Sequence, residues 1–157
     1  MGAFPLADNL LFFTELVSMP VLDVQGRRIG RVKDAALVPM VSSSRIDRVL
    51  VGGGYTWLTI RYDQIRSIVL GKGIVLNDEV LTPYHDDEYM LRIGRDLLDQ
   101  QIIDVTGRKV VRVTDVTFEI LHRTDGDARS PSALGLWLSP HDLIYVSCST
   151  RTSPLRS

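Results

Sequence analysis

Asp23-Val24-Gln25-Gly26-Arg27-Arg28-Ile29-Gly30-Arg31-Val32-Lys33-Asp34 returns 81 residues later as Asp104-Val105-Thr106-Gly107-Arg108-Lys109-Val110-Val111-Arg112-Val113-Thr114-Asp115. Seven of the twelve positions are identical without a gap, and Arg28/Lys109 and Ile29/Val110 are conservative changes. Just upstream, Val21-Leu22 matches Ile102-Ile103. Self-similarity at a fixed offset marks a duplicated structural unit. A fainter echo follows: Trp57-Leu58-Thr59 and Tyr62-Asp63-Gln64-Ile65 resemble Trp137-Leu138-Ser139 and His141-Asp142-Leu143-Ile144, at slightly shorter offsets that imply small deletions. A unit of roughly 70 residues is too long for a solenoid repeat and suits a small domain.

Working outward from the repeat, each unit reads as β structure. Asp23-x-x-Gly26 and Asp104-x-x-Gly107 fit type I turns, with Asp first and Gly fourth, and β-branched residues flank both as a hairpin requires. Arg48 to Val51, Gly52-Gly53-Gly54 and Tyr55 to Ile60 form a second hairpin pattern. Ile29 and Val32 are three apart, which breaks the period of two and predicts a β-bulge near Gly30 and another near Val111. Tyr62 to Ile68 and Arg95 to Gln100 have room only for single helical turns. The expected fold is all-β: two small β-barrels in tandem with a few short helical turns. The expected boundaries are 10–77 for repeat 1, 78–90 for a linker carrying Pro83 and Asp86-Asp87-Glu88, 91–148 for repeat 2, and 149–157 for a flexible tail.

Composition narrows the function classes. The chain has 157 residues, 18 Lys+Arg against 19 Asp+Glu, 45% hydrophobic and 24% charged residues. That is an ordinary globular composition, and the net charge of −1 argues against a general nucleic-acid binder, DNA included. One cysteine, Cys148, forms no internal disulfide and no CxxC site. No stretch approaches the ~18–20 apolar residues that span a bilayer. Leu10-Leu11-Phe12-Phe13 lacks the basic flank and length of a signal peptide and reads as a strand. A cytoplasmic setting is the expectation.

These residues resemble the PRC-barrel family: a strand, the Asp-x-x-Gly turn, an apolar residue, the basic-plus-Val pair Arg31-Val32 or Arg112-Val113, and the closing Asp34 or Asp115. The stretch Leu91 to Asp104, with Gly107-Arg108 after it, is similar to the tandem PRC-barrel region of bacterial magnesium-transporter-associated proteins. The resemblance covers roughly residues 10–77 and 91–147, and Asp125 to Ser132 departs from it. It implies a barrel that docks on other proteins without catalysis. The partner implied is a membrane transporter or its cytoplasmic domains, which would place the chain at the inner face of the membrane. The wider family implies a second reading, a ribosome-assembly or RNA-associated factor. Homo-oligomers fit either.

Candidate residues follow. Asp23, Gly26, Asp104 and Gly107 are expected to build the turns. Arg27, Arg31, Arg108 and Arg112 are less fixed by the fold, and Arg is enriched at interfaces, so they are the candidate partner contacts. Trp57 and Trp137 hold equivalent positions and read first as barrel plugs, second as docking anchors. No Gly-x-Ser-x-Gly elbow, P-loop or dinucleotide fingerprint is present, so no enzyme activity and no cofactor are expected. Asp86 and Glu88 are the only acidic pair able to share a cation, and a solvated linker is the preferred reading, with no magnesium site.

Overall fold

The computed structural model describes residues 10–104, 109–121 and 145–154. Repeat 1 runs β1 (Leu10–Phe12), a helical turn α1 (Phe13–Leu16), β2 (Pro20–Leu22), β3 (Arg28–Val38), β4 (Ser42–Gly52) and β5 (Trp57–Arg61). A 3-10 turn (Tyr62–Gln64), β6 (Ile65–Val69) and β7 (Gly73–Leu76) complete it. Then come β8 (Thr82–Pro83), β9 (Leu91–Arg92), a π turn (Ile93–Leu97), β10 (Gln101–Asp104), β11 (Lys109–Leu121) and β12 (Tyr145–Pro154). The architecture is all-β, with helical turns only between strands.

The repeated motif folds as its residues dictate. Gly26 N–H donates to the Asp23 carbonyl at 3.0 Å, and Asp23 N–H donates to the Arg27 carbonyl at 2.9 Å. Gly26 has φ +80°, which a residue with a Cβ adopts only at a cost. Both strands after the turn then carry the same bulge: the register slips between Val32 and Asp34 in β3 and between Val113 and Asp115 in β11. Irregularity also occurs opposite Gly30, between Val21 and Leu22. At Val111 the pairing is regular, so the bulge expected there lies instead at Thr114, the counterpart of Lys33.

The first strand of each repeat is exchanged. β1 pairs with β11 of repeat 2 (Leu11 opposite Phe118, Phe12 opposite Thr117), while β9 pairs with β3 of repeat 1 (Leu91 opposite Leu37, Arg92 opposite Ala36). The chain therefore interlocks its halves through two related crossings. The repeat's closing aspartate receives each one. Asp115 Oδ2 accepts from Thr14 Oγ1 at 3.0 Å, and Asp34 Oδ1 accepts from Gly94 N–H at 2.8 Å. A Cβ at Gly94 would stand 3.0 Å from that same oxygen, so glycine lets the backbone approach. Ser18 (φ 77°) and Asp99 (φ 62°) turn the chain back at equivalent points, and each donates its N–H to the paired strand, to Val32 and Val113.

The two crossings differ by one residue. Phe13–Leu16 closes as an α turn, with Val17 N–H on the Phe13 carbonyl, whereas Ile93–Leu97 closes as a π turn, with Leu98 N–H on the Ile93 carbonyl. Glu15 and Asp96 cap Phe12 N–H and Arg92 N–H in the same way. Thr14 corresponds to Gly94 by its place beside the aspartate, so Arg95 is the extra residue. An inserted residue inside a helical turn is the usual origin of a π turn.

One apolar core spans both repeats, from Leu11, Phe13 and Val51 to Ile93, Val113, Val116 and Phe118. Phe13 meets Phe118 edge to face at 6.3 Å. Among the described residues the strand path runs from β1 to β6 with no pairing that joins its ends, so the sheets are not closed into barrels. Two further expectations are corrected. Ser149–Pro154 is not a free tail but pairs with β11. It also takes beside β11 the place that β4 holds beside β3. The stretch 78–90 is largely exposed, as a solvated linker would be, but it is tied to the sheet. Thr82 and Pro83 pair with Thr59 and Leu58 of β5, Tyr84 N–H donates to the Trp57 carbonyl at 2.8 Å, and Gln64 Nε2 donates to the Val80 carbonyl.

Candidate docking face

Strand register sorts the side chains of repeat 1 onto two faces. Val32, Ala35, Val49, Val51 and Ile60 point into the core. On the opposite face three cross-strand rows follow from the pairing: Arg31–Gly52–Trp57, Asp34–Leu50–Thr59–Thr82, and Arg92–Ala36–Arg48–Arg61. Leu50, Ala36 and Asp34 are buried although they lie outside the main core cluster. The strap formed by residues 81–97 crosses this face and covers its middle row.

The strap is held by aromatic and charged contacts. The Tyr84 and Trp57 rings lie 6.0 Å apart at 44°. The Arg92 guanidinium sits 5.2 Å from the Trp57 ring and 5.5 Å from the Tyr84 ring, within cation–π range. Arg92 Nε donates to Asp34 Oδ2 at 3.0 Å, and Ala35 N–H donates to Asp34 Oδ1 at 2.8 Å. With Gly94 N–H, three donors meet one carboxylate of 2% exposure. Outside this centre, Tyr84 O–H donates to Asp86 Oδ1 at 2.9 Å, and Arg95 reaches both Asp86 oxygens at 2.9 and 3.0 Å. The Arg95 guanidinium, with help from Tyr84, holds Asp86 below the usual carboxylate range, and it does the same to Asp96. Burial, then the bond to Asp86, pushes the Tyr84 phenol up.

Along the outer row Arg48 faces Arg61 directly, a like-charge pair that destabilises unless compensated. Asp47 takes Arg48 at 2.8 Å, and Asp63 takes Arg61. Arg31 differs: its one hydrogen bond runs to the Ser18 carbonyl at 3.0 Å. Lys33 is exposed, and its stem lies where a Gly52 side chain would be. Neither has a carboxylate partner among the described residues.

The residues expected from sequence are brought together only in part. Asp23 and Gly26 build their turn. Asp23 Oδ1 accepts from Gln25 N–H and Arg27 N–H, and Arg27 Nε donates to Oδ2 at 2.8 Å. Burial acts upward on Asp23, but these donors outweigh it and hold the carboxyl below its ordinary value. Arg27 is thus tied to its own turn, whereas Arg31 shares a cross-strand row with Trp57, with Gly52 between them. Arg112 is exposed on β11, opposite Gln101 and Ser153. Asp104 pairs with Lys109, and Gly107, Arg108 and Trp137 lie outside the described residues. Trp57 is no plug: it is 37% exposed and lines the face. The sequence reading missed Asp34, Lys33, Tyr84 and Arg92. One signal was available, since Asp34/Asp115 is an identity that no turn explains. Among the described residues no group of three or more His, Cys, Asp or Glu side chains converges on a cation position, and no helix is long and apolar enough to cross a membrane.

A scan against protein-family models finds no match for this chain, and a search of curated proteins finds none either.

Proposed function

We propose that the chain is a non-enzymatic cytoplasmic adaptor, built from two interlocked β repeats that resemble PRC-barrel units, that docks on a protein partner through the Arg31–Trp57–Arg92 face. The observation that carries this reading is the part-exposed Trp57 contacted by Arg92 and Tyr84, with Arg31 farther along the same cross-strand row. Trp, Tyr and Arg are the residue types that dominate interface energetics. The link to divalent-cation transport rests on the PRC-barrel resemblance of the repeated motif.

Affinity capture with the tagged full chain tests the proposal, with Trp57→Ala alongside it. The expected result is a membrane transporter, or its cytoplasmic domain, recovered by the native chain and lost with the variant. Recovery of ribosomal proteins without a membrane protein would favour the ribosome-assembly reading. Equal recovery by chain and variant would remove this face as the docking surface.

A further inference from the structure

Resting on that docking reading, we propose that the partner element is an extended acidic segment bearing an aromatic side chain, taken up beside Trp57 by Arg31 and Lys33. The strap already displays the strand-and-aromatic part of this mode, and pairs its carboxylate with an arginine of its own. Thr82 and Pro83 add a short strand to β5, Tyr84 lies on Trp57, and Asp86, two residues on, is clasped by Arg95. Residues i and i+2 of an extended chain share a side, so the strap's aromatic meets Trp57 while its carboxylate is held next to it by the strap's own Arg95.

On the other flank of Trp57 the same parts stand unfilled. Arg31 lies across Gly52 from the indole in the strand register, bonded only to a backbone carbonyl. Lys33 leans over Gly52, so the floor between Arg31 and Trp57 is backbone and methylene stem. The cations on the strap side are already matched: Arg92 with Asp34, and Arg95 with Asp86 and Asp96. Charge complementarity therefore places a new carboxylate at Arg31 and Lys33, and the open edge of Trp57 takes the aromatic. A nucleic acid fits less well. Its affinity comes from many unmatched cations along a backbone track, and among the described residues of this face two, Arg31 and Lys33, stand free of a carboxylate.

The test uses the full chain and a fluorescein-labelled, acetylated peptide with the sequence of Thr82–Tyr89. A neutral counterpart has Asn and Gln in place of its three acids, and a single-stranded oligouridine serves as the nucleic-acid probe. Anisotropy titrations at low salt should show saturable binding of the acidic peptide. Binding should be weakened about 10-fold or more by Arg31→Glu with Lys33→Glu, and by a similar factor in the neutral peptide. Arg95→Gln, which frees the strap, should leave affinity unchanged within about twofold, because the strap's seat is not the site. Arg31→Ala with Lys33→Ala is the second variant should charge reversal impair folding, and it should also weaken binding. The proposal is overturned if the acidic peptide fails to bind, if the basic-site variants or the neutral peptide bind equally well, or if oligouridine binds more tightly. It is overturned too if Arg95→Gln strengthens peptide binding, since the peptide would then be taking the strap's place. Failure here with partner capture still dependent on Trp57 removes the acidic segment and leaves the docking face. Capture indifferent to Trp57→Ala removes the docking face itself.

Discussion

At the scale of single residues, the repeat's conserved identities divide into two jobs. Asp23 and Gly26 close a local turn, whereas Asp34 closes a long-range one, receiving Arg92 and Gly94 N–H from 58 and 60 residues away. Removing one partner of a buried ion pair leaves the other charge uncompensated, so Asp34→Ala should cost ~3–5 kcal/mol. Asp115→Ala, where the long-range partner is a hydroxyl, should cost about 1 kcal/mol. Urea unfolding of the two variants checks the order, and equal losses would contradict it. Gly26→Val should cost ~1 kcal/mol or more because of its positive φ, while Arg27→Ala, which removes an exposed guanidinium and leaves Asp23 its two backbone donors, should change stability by less than about 1 kcal/mol. The same measurement across pH carries a sign. Asp23, Asp86 and Asp96 have lowered folded pKa values, so their contribution is present above the unfolded value of about 4 and is lost as pH falls through the folded values. Stability should thus decline below about pH 4, with a shallower decline in Asp86→Asn.

At the scale of elements, the hairpin of Asp23–Gly26 and the β4–β5 hairpin were legible because turn chemistry and alternation are local. The bulge was legible as a broken period and an irregularity lies beside Gly30 as expected, but its place in the second copy was not legible. A bulge is fixed by which partner strand it opposes, and β11's partner proved to be β12. The strap was hidden for a related reason: Pro83 and a run of acids look like a solvated connector until Trp57 and Arg95 are placed beside them. Arg95 decides the strap's fate, since it both swells the turn into a π turn and clasps Asp86. Deleting Arg95 should restore an α turn like Phe13–Leu16, keep the fold, and release the strap. Amide exchange at Tyr84 and Asp86 should speed up markedly while the β3–β4 amides stay protected. Unchanged exchange at the strap would show that Arg95 does not hold it. Because Asp86 is engaged by Arg95, calorimetric titration should reveal no saturable Mg²⁺ binding tighter than the millimolar range. A micromolar site lost in Asp86→Asn with Glu88→Gln would contradict this.

At the scale of the whole molecule, the duplication was plain in the sequence and the exchange was not. Residue pattern reports that β1 and β9 are strands or turns, yet either could pair with its own repeat or with the other. That choice is made by the shared core, where Leu11 lies opposite Phe118 and Leu91 opposite Leu37. Small domains bury too little surface to be robust alone, and interlocking gives both repeats one core. The chain should therefore melt in a single calorimetric transition. Phe118→Ala, in repeat 2, should destabilise by ~3–5 kcal/mol and lower the midpoint reported by amides of repeat 1 as much as that of repeat 2. Isotope-edited nuclear Overhauser measurements test the exchange itself most directly. The account predicts cross-strand contacts between Leu11 and Phe118 and between Leu91 and Leu37 within one chain. Contacts of Leu11 with Leu37 and of Leu91 with Phe118 in their place would mean that each repeat keeps its own first strand, and would contradict it.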